Sequence, residues 1–464
     1  MDKKQPKWLY TLPFFLILGV LTVCCAIPGL HPDRSYSERR ELASWPEFTW
    51  ESFLSGEYFD GISTWFSDTF PGREGWMEAA NEINALHGSS ELMISGTVPT
   101  SDEIPEDIPE ETQPLEVYVP ETMPPETQPE ESGETQPGES ETQPGESETK
   151  AATEPTAWQG ANAGDEAEIL RSAAAFQLGD AAYVYQNFSA QTTDNFASTL
   201  NQFAEKIQDT GVKVICAPPP TAVGILIEEE YQESLSSVSQ RKILDYLFSR
   251  LDDSIIQVDT VGALLPHNGE YIYFRTDHHW TPLGAYYAYA AVCDSIGIQP
   301  VDLDSLETWD LGEFSGSLVS KVNRPGQLRL DDLIAYVPKG DITVSVMNVD
   351  LPYDTTILNR WEGMRKEEKY AVYGDDFPMT KIVNTDLEGG TIAVVKDSFG
   401  NCFVPFLTQN FRTVYTFDYR RYSGASLYKA LDDLQPDYIL VMPYIAAIES
   451  YTGPQSIYRV LIGY

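Results

Sequence analysis

The sequence is short of positive charge, of histidine and of cysteine. Only 30 Lys and Arg stand against 71 Asp and Glu, which leaves a formal net charge of −41. Nucleic-acid binding needs a basic stripe to displace counterions from phosphates, so that class of partner is excluded. Anionic membranes and wall polymers also repel such a chain at long range, although salt screens the effect beyond roughly 8–10 Å. Cysteine occurs at 24, 25, 216, 293 and 402, too few and too scattered for a disulfide framework or a spaced zinc site. Cys24 and Cys25 fall in an apolar run; Leu21-Thr22-Val23 before them lacks the small residue that lipid modification of a cysteine needs. The other three cysteines read as core. Nothing in the sequence calls for a cofactor.

What is present divides the 464 residues into four stretches. Residues 1–30 place Lys3, Lys4 and Lys7 before an uncharged run from Trp8 to Leu30, which is close to the ~20 apolar residues that cross a bilayer. The basic start predicts a cytoplasmic tip and a retained transmembrane anchor, with everything after residue 30 exported, although Arg34, Arg39 and Arg40 weigh on the far side. Cleavage after Ala26 is the competing outcome, and it exports the remainder equally. Residues 31–95 carry Phe53, Phe59, Ile62, Trp65, Phe66 and Phe70 at three- and four-residue steps, which predicts an amphipathic helical extension with an aromatic face. That face is expected to dock on the main domain or lie at the membrane surface.

Residues 96–166 are dominated by Pro, Glu, Thr, Gln and Ser, with ETQP recurring at Glu111, Glu126, Glu134 and Glu141. From Asp102 to Glu154 seventeen carboxylates face the single Lys150. Such a composition cannot bury enough apolar surface to offset its ordering entropy, which predicts a disordered, extended linker. Residues 167–464 alternate short apolar runs with helical stretches. AYVYQ (182–186), VKVICA (212–217), IIQV (255–258), TIAVV (391–395), TVYTF (413–417) and YILVM (438–442) read as strands. Helices are expected over 189–210, 236–251, 282–296, 402–410 and 424–434. Strand then helix, repeated, predicts an α/β domain with a mostly parallel sheet, which places chemistry at the carboxyl ends of its strands.

Two segments concentrate chemical potential. Thr391-Ile-Ala-Val-Val-Lys-Asp-Ser-Phe-Gly-Asn401 is an apolar strand that ends by presenting Ser398 just before a helix, where backbone N–H groups can stabilise an oxyanion. A serine that merely caps the helix fits the same pattern. Arg275-Thr-Asp-His-His-Trp-Thr-Pro-Leu-Gly284 gathers two of the five histidines. Acyl transfer by serine needs an imidazole to take the hydroxyl proton and a carboxylate to fix its tautomer, and Asp277 with His279 supplies both from one tight turn. His278 is expected to point elsewhere and to be structural. Trp280 is expected to pack beneath the turn, with Thr281-Pro282 starting the next helix.

TDHHWTPLGA followed by VKDSFGNCFVPFL and TFDYRRY resembles the DHHW proteins of bacteria, which are similar to the alginate O-acetyltransferases of the SGNH superfamily. The resemblance covers roughly residue 168 to the C-terminus, and residues 37–76 resemble the family's N-terminal extension. It implies an SGNH-like three-layer domain with Ser398 as nucleophile, His279 as base and Asp277 as its orienting acid. No clean counterpart of the superfamily's oxyanion donors is visible; the candidates are the Ser398 amide, Asn401, and Gly374 in Tyr373-Gly-Asp-Asp376. Arg420 and Arg421 sit past a strand, where a guanidinium can hold a substrate carbonyl or form a salt bridge with Asp418. The implied activity is O-acyl transfer, most simply O-acetyl transfer, or ester hydrolysis on a cell-surface polysaccharide or wall polymer. The implied acyl donor is a multi-pass membrane acyltransferase partner. Two other classes compete: a catalytically inactive polysaccharide-binding module, and a metal-dependent phosphoesterase built on the Asp-His-His string, for which only His267 offers a further nearby ligand.

Overall fold

The computed structural model describes residues 175–450 and 452–463, together with 169–172 and individual positions between 34 and 120. The stretch expected to cross the membrane lies outside the described residues; among the described residues no helix is long and apolar enough to do so. Of the aromatic stripe, Ile62 and Trp65 are described and lie in helix, as do Trp50, Tyr58, Gly61 and Thr69. Phe53, Phe59, Phe66 and Phe70 lie outside the described residues.

The domain is built on an eight-stranded sheet. In chain order its strands are β1 (Lys213–Cys216), β2 (Ile256–Gln257), β3 (Ile342–Met347), β4 (Tyr353–Thr355), β5 (Met379–Asn384), β6 (Thr391–Lys396), β7 (Thr413–Asp418) and β8 (Tyr438–Met442). Across the sheet they run β4-β3-β5-β7-β6-β8-β1-β2. The block β7-β6-β8-β1-β2 is parallel throughout, and β4, β3 and β5 extend it by antiparallel pairing. The sheet is therefore mixed and mostly parallel. In β6, β7 and β8 every residue after the first is buried, so both faces of the centre are covered, as continuous apolar runs require. AYVYQ departs from expectation. Its strand, Ala181–Val184, joins Ile169–Arg171 and Ala175–Leu178 in a separate three-stranded antiparallel sheet, because it follows the two-residue turn of a hairpin.

The covering helices are α1 (Ala190–Ile207), α2 (Gln240–Ser249), α3 (Pro282–Ser295), α4 (Gly400–Leu407), α5 (Leu427–Leu434) and α6 (Thr452–Leu461). One group, α1 with α5 and α6, packs together; α3 packs on α4. Thr281 caps α3 through its hydroxyl and Pro282 opens the first turn, where a missing N–H costs nothing. Within the stretch read as a linker, Ile104, Leu115 and Tyr118 pack against the main core.

Candidate active site

β6 delivers Ser398 to the carboxyl rim of the sheet. Its last residue, Lys396, pairs with Asp418 at the end of β7 and with Met442 at the end of β8, so three strand ends converge there. Between strand and helix the chain makes a tight turn organised by Asp397. This fully buried carboxylate accepts hydrogen bonds from Phe399 N at 2.9 Å, Tyr444 N at 2.9 Å and the Tyr419 hydroxyl at 3.0 Å. Burial pushes its pKa up, opposed by the nearby Arg420 charge and these donors.

The second segment comes from a hairpin-like turn in which Tyr273 bridges Trp280. The Trp280 indole, fully buried, donates to Phe399 O at 3.0 Å and thereby locks the turn onto the serine loop. His279 Nε2 then lies 2.8 Å from Ser398 Oγ, and its Nδ1 lies 2.5 Å from Asp277 Oδ1. The two stretches, 119 residues apart in sequence, meet as expected. His279 and Asp277 are buried while Ser398 is half-buried, so the serine is the most exposed residue of the three. Tyr370 stacks on the His279 ring at 4.7 Å and donates its hydroxyl to Ser398 O at 3.2 Å.

Asp277 is itself held. Its Oδ1 accepts His279 N at 3.1 Å and its Oδ2 accepts Ser317 N at 2.8 Å. A Cβ on Gly316 would stand 2.3 Å from Asp277 Cβ and 2.5 Å from Thr276 O, so only glycine lets this loop approach. Asp331, also fully buried, holds the other side of the turn. It accepts Arg275 N at 2.7 Å and Thr276 N at 2.8 Å, together with the Thr276 and Tyr271 hydroxyls. Burial pushes the Asp331 pKa up while those donors oppose the shift. Sequence reasoning missed Asp331, Gly316 and Ser317, because nothing in DDLIAYV or FSGS signals a partner some forty to sixty positions earlier.

His278 does not point elsewhere. The bend through 275–279 keeps both imidazoles on one side, with ring centroids 3.9 Å apart. Its Nδ1 lies 3.1 Å from Ser317 Oγ and 3.6 Å from Asp277 Oδ1, and about a quarter of its side chain is exposed. Asp277, His278 and His279 bring three ligand-type atoms within 4.8 Å of one another. Both His279 nitrogens and both Asp277 oxygens are already engaged, so a metal would have to dismantle the relay, and the donor set does not fit one. His267 is spent elsewhere, 2.6 Å from Glu270.

Of the remaining candidates, Asn401, Arg420 and Gly374 are committed to structure. Lys396 Nζ donates to Asn401 Oδ1 at 2.5 Å, and Asn401 Nδ2 donates to Asp376 Oδ1 at 3.1 Å. Arg420 pairs with Asp376 at 2.9 Å and bidentately with Asp418, which is the salt-bridge alternative. Burial opposes ionisation of Asp376, but the Arg420 and Lys396 charges prevail and hold its carboxyl well below the usual range. Arg421 is exposed at the rim. The Gly374 amide donates to Ala371 O at 2.9 Å, so it is not available to an oxyanion. Among the expected donors the Ser398 amide alone has no acceptor in the described residues. Gly400 explains the glycine of DSFGN: a Cβ there would meet Lys396 Cδ at 2.4 Å and close its path to Asn401.

None of the curated proteins matches the chain. Solved structures do. A DHHW family protein from Eubacterium siraeum is 24% identical over 62% of this chain and 97% of its own, with TM-score 0.56. Bacillus cereus PatB1 carrying a sulfonyl adduct is 19% identical over 64% and 99%, with TM-score 0.51. The O-acetyltransferase domain of Pseudomonas putida AlgJ matches over 64% and 99% at 13% identity and TM-score 0.36, too distant to carry any argument. At these identities the first two establish a shared fold. The sequence pattern that defines the DHHW proteins matches residues 38–417, well over half of the 464, and the chain therefore belongs to the DHHW protein family.

Proposed function

We propose that the protein is a serine O-acyltransferase or esterase, most simply an O-acetyltransferase, that acts outside the cell membrane on a cell-surface polysaccharide or wall polymer. The observation that carries this reading is the relay Ser398 Oγ, His279 Nε2, His279 Nδ1, Asp277 Oδ1, with contacts of 2.8 and 2.5 Å and a half-buried serine. In the first half-reaction Ser398 Oγ bonds to the acyl carbonyl carbon while His279 Nε2 takes the hydroxyl proton. The imidazolium that forms is stabilised by Asp277, and the Ser398 amide faces the developing oxyanion. His279 then returns the proton to the departing alcohol as the acyl–oxygen bond breaks. In the second half-reaction an acceptor hydroxyl, or water in an esterase, loses its proton to His279 and attacks the acyl-enzyme, which restores Ser398. Residues 1–30 as a membrane anchor, and a multi-pass membrane acyltransferase as donor, complete the proposal.

The test is turnover of a small acetyl ester, with labelling by a sulfonyl fluoride, a reagent class suited to a fold on which a sulfonyl adduct has been captured. Ser398→Ala is expected to lower turnover by at least ~1,000-fold with the melting temperature kept, and to abolish labelling. Equal labelling of both proteins, or saturable glycan binding by a wild-type protein that turns over no ester, would leave the inactive binding module instead.

A further inference from the structure

The stretch 96–166 reads from composition as a spacer between extension and domain, yet part of it is fastened along α1. Asp102 N donates to Phe188 O at 2.9 Å, Ser101 Oγ accepts Phe188 N at 3.0 Å, and Asp102 Oδ2 accepts Ala190 N at 3.0 Å at the start of the helix. Farther along, Tyr118 N donates to Ser198 Oγ at 3.1 Å and Gln202 Nε2 donates to Tyr118 O at 2.9 Å. The Tyr118 ring meets Tyr458 of α6 edge-on at 6.0 Å, and Pro120 is buried. From Ala190 to Gln202 the helix rises about 18 Å, and residues of 101–120 touch it at both ends of that span.

The sequence explains where the fastening stops. Ile104, Leu115 and Tyr118 supply apolar surface that packs on the main core. From 121 to 150 Met123 is the single large apolar residue, and carboxylates dominate. Burial can offset the ordering entropy of the first segment and has nothing to work with in the second.

We propose that Ser101, Asp102, Ile104, Leu115 and residues 117–120 act as a strap that latches this part of the chain to the domain along α1. The strap also enters close to the serine loop. Glu449, which accepts Ser189 N at 2.6 Å beside Asp102, follows the short helix Ile445–Ile448, and the residue before that helix, Tyr444, holds Asp397 through its amide. None of this depends on the chemistry of Ser398.

A crosslink in the full chain tests the latch. A recognition site for a sequence-specific protease is placed between Gly138 and Glu139, and Tyr118→Cys is combined with Ser198→Cys, whose hydroxyl already meets the Tyr118 amide. After mild oxidation and complete cleavage, the two fragments are expected to run as one band without reductant and to separate with it. The decoy pair is Tyr118→Cys with the exposed Asp253→Cys. A docked strap links to the buried position 198 at least tenfold faster than to the decoy; a free spacer favours the exposed decoy, and that result, or no link to 198, overturns the latch.

Discussion

Asp331→Asn isolates a residue that touches no reacting atom yet holds the turn that carries Asp277 and His279. Asp331 Oδ1 accepts Arg275 N and the Tyr271 hydroxyl; Oδ2 accepts Thr276 N and the Thr276 hydroxyl. An asparagine keeps one oxygen and puts an N–H pair in place of the other. Whichever side the amide takes, a hydroxyl can rotate to accept, but one backbone N–H is left facing another N–H. A stranded buried donor costs about 1–3 kcal/mol, and three retained or rearranged bonds lose the assistance of a charge, about 0.5–1 kcal/mol each. The sum is about 2.5–6 kcal/mol, a large share of the 5–15 kcal/mol that typically separates folded from unfolded chains. Relaxation of the turn moves His279 relative to Ser398, and a displacement near 1 Å at a reacting pair is worth about 100-fold in rate. Asp331→Asn should therefore lower kcat/KM on a small acetyl ester by about 100-fold, mostly through kcat, with a reduced melting temperature. A variant within twofold of wild type in kcat/KM and unchanged in melting temperature would refute the reasoning.

Gly316→Ala adds a methyl that cannot coexist with Asp277 Cβ at 2.3 Å; since the obstacle is the base of a short side chain and a backbone carbonyl, the loop must shift. Activity is expected to fall by about 100-fold with a stability loss of about 1–3 kcal/mol, read from kinetics and denaturant titration. Glu449 supplies a pH dependence. Burial pushes its pKa up to about 7, against the hydrogen bonds from Ser189, Thr193 and Thr192, with Asp102 adding to the rise. Between the ordinary carboxylate value and 7 the folded state holds a proton that the unfolded state has lost, so this group's contribution to stability falls as pH rises through that window. Melting curves from pH 5 to pH 8 should show that decline in wild type and a flatter profile in Glu449→Gln; an identical slope in both would remove Glu449 as its source.

The parallel half of the sheet was legible because buried parallel strands are unbroken apolar runs, and TIAVV, TVYTF and YILVM could not be anything else at that length. β3, β4 and β5 were not. ITVSVM alternates apolar with polar residues only over its first five positions, MTKIVN keeps no strict period and YDT is too short to stand out, so the antiparallel extension of the sheet is only partly legible. The same holds for the strand pair Glu307–Phe314 and Asp331–Val337. At the site, the residues proposed to do the chemistry were visible through residue type and local spacing. Those that hold them were not, since Asp331, Ser317 and Tyr370 are chosen by contacts across the fold. His278 shows the converse limit: two-residue periodicity places it opposite His279 only if the backbone is extended, and here it bends.

The geometry around Ser398 also separates two roles that composition had run together. Asn401, Arg420 and Gly374 looked like groups that could face a substrate. Asp376 accepts from the Asn401 side-chain amide, Asp376 and Asp418 occupy Arg420, and Ala371 occupies the Gly374 amide. A donor already satisfied in the ground state gains little when an oxyanion appears, because stabilisation counts toward rate only where it is stronger in the transition state. In the proposed reaction the Ser398 amide, which has no acceptor among the described residues, meets that condition. It sits one residue before the helix cap, so the partial positive charge at the start of α4 reinforces it without a further free N–H. The Lys396, Asn401, Asp376 and Arg420 chain instead fixes the strand end and the first helical turn to each other on either side of Ser398.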